Sequence, residues 1–330
     1  MSHKLKVAEA RAEYITEQDV WSHFNFIFSE KSKNSASYKY ALVKSLLENL
    51  YSVNEKLELT YYQVFESFTE IYWNLVIHHK LSQLNLQQKS ARIETVLKES
   101  LLKHHLNDQI IFEKIPDQIK IKIVKKVITE CKNDVMGALY GDTQGLIYSF
   151  DNYKRQLKLT PSFYSFMQRF QKVLMYLSNY HLALFLEKYN SGSSTDGLLL
   201  KIENVSKRKS LDKFYLLLAS VYQKECFYCG NKIKSRKGNH VDHFIPWSFI
   251  QNDQLWNLVI ACVKCNTSKN NKLADKEFLE KLIQRNNFLS LEENITQRVD
   301  MQLYVPKKLE DLYKYSRQNG YTDIWTPNRL

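Results

Sequence analysis

Apolar side chains along the first two thirds of the chain recur at steps of three and four. Tyr61, Val64, Phe65, Phe68, Tyr72, Leu75 and Val76 form the stripe of a helix packed on a core, and Leu42, Leu46 and Leu50 repeat the pattern earlier. A further run takes in Phe163, Phe166, Phe170, Val173, Leu174 and Leu177, with Thr160-Pro161 offering a cap and a first-turn proline. At helical spacing these aromatics read as core rather than as platforms for stacked bases. The first 136 residues hold no glycine and one proline, Pro116, so this half is expected to be almost all helix. No repeat of solenoid length is visible, which favours a compact bundle.

The pattern changes at Tyr189–Gly197, YNSGSSTDG, where turn-forming residues concentrate. We place the domain boundary there, giving a helical domain over 1–195 and a second domain over 196–330. Within the latter, His240-Val241-Asp242-His243-Phe244 alternates as a short strand does and is followed by Pro246. The fold class expected is mainly α, with a small α+β module at the C-terminal end.

Composition adds class and partner. A length of 330 residues suits two domains, and a hydrophobic share of 44% with 25% charged residues excludes global disorder. Forty-seven Lys and Arg against 35 Asp and Glu leave a net charge of +12, which favours a polyanionic partner, although a soluble basic protein carries the same balance. The most apolar stretch, Val173–Leu186, is interrupted by Ser178, Asn179 and His181 and reads as a buried helix, not a membrane span. The N-terminal segment MSHKLKVAEARAEY lacks the features of a secretory signal, so a cytoplasmic location is expected. Lys207, Arg208, Lys209 and Lys213 either reach phosphates or form a solvated helix face.

Five cysteines carry the first chemical signal. Cys226-Phe-Tyr-Cys229 and Cys262-Val-Lys-Cys265 each put two thiols on a tight turn, and two such turns supply the four-sulfur shell that structural zinc prefers. Reduced thiols or two disulfides are the other readings, and Cys131 remains as an isolated buried thiol. A four-cysteine zinc site is coordinatively closed, so reactive groups must lie between the turns. There Asp242 and His243 point to opposite faces of the strand. A carboxylate suits a hard cation and an imidazole of pKa about 6.5 is a usable base, so the pair can divide metal binding from proton abstraction. His240 shares the Asp242 face, with a structural or a substrate-facing role both open. From Cys226 to Lys272 seven positive residues stand against two acidic ones, a patch suited to backbone rather than base contacts.

The whole run, CFYCG, HVDHFIPWS and LWNLVIACVKCNTSK, resembles the zinc-containing HNH endonucleases in order and spacing, with a motif core over 226–272. The resemblance implies the ββα-metal fold, in which a β-hairpin and a helix enclose one divalent ion beside a structural zinc on Cys226, Cys229, Cys262 and Cys265. By position, His243 matches the family's general base and Asp242 its metal-binding acid. Asn266 matches the last metal-site position, and Asn257 the middle Asn that ties the hairpin backbone. An Asn at the last position gives an oxygen ligand, which favours magnesium or manganese for the one catalytic ion. Lys269 matches the trailing lysine and, with Lys264, Arg236 and Lys237, is a candidate phosphate contact. The activity implied is phosphodiester hydrolysis, in DNA ahead of RNA, in bacterial defence or restriction. The alternatives are a catalytically silent zinc module that binds nucleic acid and a purely structural zinc domain. The helical half is left with recognition, regulation or assembly, through a protein partner or a second copy of the chain.

Overall fold

The computed structural model describes residues 5–10, 15–32, 37–83, 90–191, 195–204, 210–221, 225–233 and 239–327. The fold is mainly α and divides into two compact units, Met1–Lys207 and Arg208–Leu330.

The first unit carries α1 (Glu17–Ile27), α2 (Tyr38–Glu48), α3 (Tyr61–Trp73), α4 (Arg92–Lys103), α5 (Asp117–Asp142), α6 (Pro161–Tyr189) and α7 (Leu198–Glu203). At its centre lies α2, buried along its whole length and packed against α3, α5 and α6. The expected stripe of α3 is buried throughout, Leu75 and Val76 continuing it into a π-turn at Asn74–His78. Thr60 caps α3, accepting from the Gln63 amide while the Gln63 side chain accepts from the Thr60 amide, a reciprocal cap worth about 1 kcal/mol.

Three features depart from expectation. Pro161 opens α6, but the Thr160 hydroxyl donates to Leu146 O at 2.7 Å instead of capping. The backbone leaves helical geometry at Phe170, and the buried stripe passes through Gln171 and Leu174 while Val173 is exposed. The unit also holds a small sheet that was not expected. Strands β1 (Val7–Ala8), β2 (Glu58–Thr60), β3 (Tyr148–Asp151) and β4 (Gln156–Leu159) form an antiparallel sheet in the order β1-β3-β4-β2. Tyr148, Phe150, Leu157 and Leu159 are its buried residues on β3 and β4. That period of two marks a half-buried sheet. Helix α7 packs on α6, so the division between units falls beyond the Tyr189–Gly197 segment, of which 192–194 lie outside the described residues. Cys131 is buried. Among the described residues no helix is long and apolar enough to cross a membrane.

The second unit begins with α8 (Asp212–Val221), which packs on a hairpin of β5 (Asn239–His243) and β6 (Leu258–Cys262). In the register His243 faces Leu258 and Asp242 faces Val259. The short α9 (Trp247–Ile250) lies between the strands, and α10 (Val263–Lys269) follows directly, with Cys262 at its N-terminal cap position. The ββα order is therefore complete. A parallel pair of β7 (Leu273–Ala274) and β8 (Ile324–Trp325) joins the C-terminal segment to the hairpin module. Between them run α11 (Lys276–Leu289), α12 (Glu293–Thr296), α13 (Val299–Gln302) and α14 (Pro306–Gln318). Tyr313 and Tyr321 pin this return, their hydroxyls donating to Ala274 O at 2.8 Å and Ser248 Oγ at 2.9 Å.

Candidate active site

Cys226 and Cys229 stand on a turn closed by the Gly230 amide donating to Cys226 O at 2.9 Å. Gly230 has φ +73°, a left-handed conformation that costs glycine nothing. The Phe227 amide donates to Ile260 O at 2.9 Å, which fixes this turn to β6, whose last residue is Cys262. The ligand sulfurs of Cys226, Cys229, Cys262 and Cys265 lie within 4.8 Å of one another. Burial, with Cys226 nearby, holds the Cys265 thiol well above its ordinary value. Four thiols crowded like this ionise together only around a cation. The donor set, its count and its closeness fit a zinc ion.

Asp242 and His243 sit at the end of β5 and project into different surroundings, as the pleat requires. Asp242 is buried. Its Oδ2 accepts from the Tyr228 hydroxyl at 2.6 Å and pairs with Lys269 Nζ at 2.9 Å. Burial and the adjacent Asp242 charge push the Tyr228 phenol well above its ordinary range, so it stays a donor. Lys269 also donates to His243 O at 2.9 Å. On the other side, His243 Nε2 meets Asp253 Oδ1 at 2.7 Å.

Asn257 is fully buried and ties the chain just past the strand. Its Oδ1 accepts from the Ile245 amide at 2.9 Å and its Nδ2 donates to Ile245 O at 3.0 Å. Its carbonyl accepts from the Phe244 amide at 2.8 Å. Asn257 thus fixes the two residues that follow His243, Phe244 through its backbone carbonyl and Ile245 through its side chain. Asn266 lies half-buried on α10, next to Cys265. It sits within this helix, which Lys269 ends. His240 is exposed.

The phosphate-contact expectation divides. Lys264 is exposed, whereas Arg236 and Lys237, like Lys207, Arg208 and Lys209, lie outside the described residues. Lys269 requires a correction. Its side chain has 0% exposure, and its charge is committed to Asp242 and the His243 carbonyl, so it does not reach a phosphate at the surface. Sequence reasoning also missed Tyr228 and Asp253. Both lie inside the motif, but tyrosines in tight turns and aspartates in loops give no signal of their partners.

These positions coincide with a known pattern. Residues 226–274 match the family model of HNH endonucleases. No curated protein and no solved structure matches the chain. The HNH match supports a nuclease-type function, and it covers the four cysteines, Asp242, His243, Asn257, Asn266 and Lys269 in one segment.

Proposed function

We propose that the protein is a metal-dependent endonuclease that hydrolyses phosphodiester bonds in DNA through the HNH module. The observation that carries this is the pairing of a buried Asp242 with His243 at the end of one strand, beside a four-cysteine cluster, inside the segment that matches the HNH endonuclease model.

Asp242 and Asn266 offer oxygen donors that would hold a hard divalent ion, which would supply charge neutralisation for the phosphate in the transition state. The four cysteines would hold a structural zinc and take no part in the chemistry. His243 takes a proton from the attacking water as its oxygen bonds to phosphorus. The bond from phosphorus to the 3′-oxygen breaks in line, and the departing oxygen takes a proton from solvent. Asn257 keeps the turn after His243 rigid, so the imidazole approaches the phosphate in one orientation. A base placed in this way contributes about 10²–10⁴-fold.

The test is incubation of end-labelled duplex and single-stranded DNA with the full-length protein and magnesium or manganese. The expected products carry 3′-hydroxyl and 5′-phosphate ends. Retention of DNA with no cleavage of either form under both metals contradicts the proposal and favours a silent binding module.

A further inference from the structure

The Asp253–His243 contact goes a step beyond that reading. A carboxylate is an acceptor only, so at 2.7 Å the His243 Nε2 must carry the proton and donate it to Asp253 Oδ1. In the neutral ring this leaves the lone pair on Nδ1. Among the described residues the ring makes this one hydrogen bond. Both side chains are withdrawn from water, with 4% and 11% exposure for His243 and Asp253, and a carboxylate so placed is stable only with a partner.

The loop that presents Asp253 is held at both ends. Gln251 adopts a left-handed conformation, φ +50°, and its amide donates to Trp247 O at 2.8 Å. Beyond Asp253, the Leu255 amide donates to Asp300 Oδ2 at 2.8 Å, and Asp300 is gripped by Arg298 at 3.0 and 3.1 Å. The Asn257 amide closes the turn on Gln254 O at 2.8 Å. A carboxylate fixed in this way sets both the tautomer and the plane of the ring.

We propose that Asp253 is a positioning residue that locks His243 in the Nε2–H tautomer, so that Nδ1 is the atom that takes the proton from water. This rests on the nuclease reading, with Asp253 touching neither substrate nor metal. Asparagine at 253 can turn an N–H toward Nε2 and so favours the opposite tautomer, with the base lone pair aimed away from the phosphate.

Two measurements on the zinc-loaded full-length protein test this. The first is nitrogen-15 NMR of the histidine rings, with the His243 signals identified by their loss in His243→Gln. The wild type should show Nε2–H, and Asp253→Asn should move His243 toward Nδ1–H. A wild-type Nδ1–H ring overturns the proposal, as does an unchanged tautomer in the variant. If Asp253→Asn does not fold, the wild-type spectrum decides by itself. The second is steady-state cleavage. Asp253→Asn should lower kcat by about 10²–10⁴-fold with KM within about twofold, Asp253→Glu should recover part of the loss, and the loss should vanish in a His243→Ala background. A loss confined to KM, a fully additive loss, or a rise in kcat that shows the carboxylate blocking the ring would each overturn it. A wild type that cuts no DNA removes the nuclease reading instead, while the ring tautomer still decides the role of Asp253.

Discussion

Replacing Lys269 with methionine separates a buried structural cation from a surface phosphate contact. The side chain keeps its approximate volume, so the loss is electrostatic. Asp242 Oδ2 loses an ammonium at 2.9 Å and His243 O loses a donor at 2.9 Å. Both partners of the pair are buried, with side-chain exposures of 0% and 10%, so solvent screens them little. Removing one member of such a pair costs about 3–5 kcal/mol. On the proposed reading, a divalent ion on Asp242 would replace the missing charge and leave mainly the orphaned carbonyl, at about 1–3 kcal/mol. The assay is equilibrium urea unfolding of the full-length protein followed by zinc release to a chromogenic chelator, with and without saturating magnesium. The expected deficit is about 3–5 kcal/mol without magnesium and about 1–3 kcal/mol with it. A deficit below about 1 kcal/mol, together with weaker DNA binding and a salt slope reduced by about one, would refute the reasoning and return Lys269 to the phosphate contacts.

Other consequences follow from the same geometry. Asn257→Ala orphans the Ile245 amide and carbonyl, each costing about 1–3 kcal/mol, so the zinc-release midpoint in urea should fall while the unfolding of the helical unit is unchanged. Cys226→Ser should abolish stoichiometric zinc binding and leave α10 without its anchor, read as lost zinc by elemental analysis and lost helix signal from the second unit. Burial raises the Cys131 thiol from 9.0 to about 12. The folded state therefore holds this proton more tightly, and its contribution is intact below pH 9.0 and disappears as pH rises toward about 12. Up to about 1.4 kcal/mol per pH unit is lost across that window. Urea midpoints of wild type and Cys131→Ala at pH 8 and pH 10.5 measure it, with a shallower decline expected in the variant.

Much of the helical half was legible because burial on a helix writes a period of three to four into the sequence. Tyr61 to Val76 shows it, every stripe position being buried. The sheet of the first unit escaped because β3 and β4 have four residues each and their neighbours β1 and β2 lie far away in sequence. Short alternation cannot name a distant partner. Phe170 and Val173 misled for a related reason, since the stripe resolves to Gln171 and Leu174 once the helix deforms. In the HNH module the cysteine turns stood out by spacing, as did Asp242 and His243 by resemblance. Lys269 did not, because a lysine that ends a helix normally faces solvent and nothing in its neighbours betrays burial. The link from Asp253 to His243 crosses a loop and depends on Asp300 holding Leu255, a tertiary contact with no local pattern.

The most direct test of the nuclease assignment is nicking of supercoiled plasmid by the wild type and by His243→Ala, with manganese, at matched zinc content. The account expects conversion to open circles by the wild type and a loss of about 10²–10⁴-fold in the variant. Equal nicking by both would show that His243 is not the base, and that the cleavage arises elsewhere.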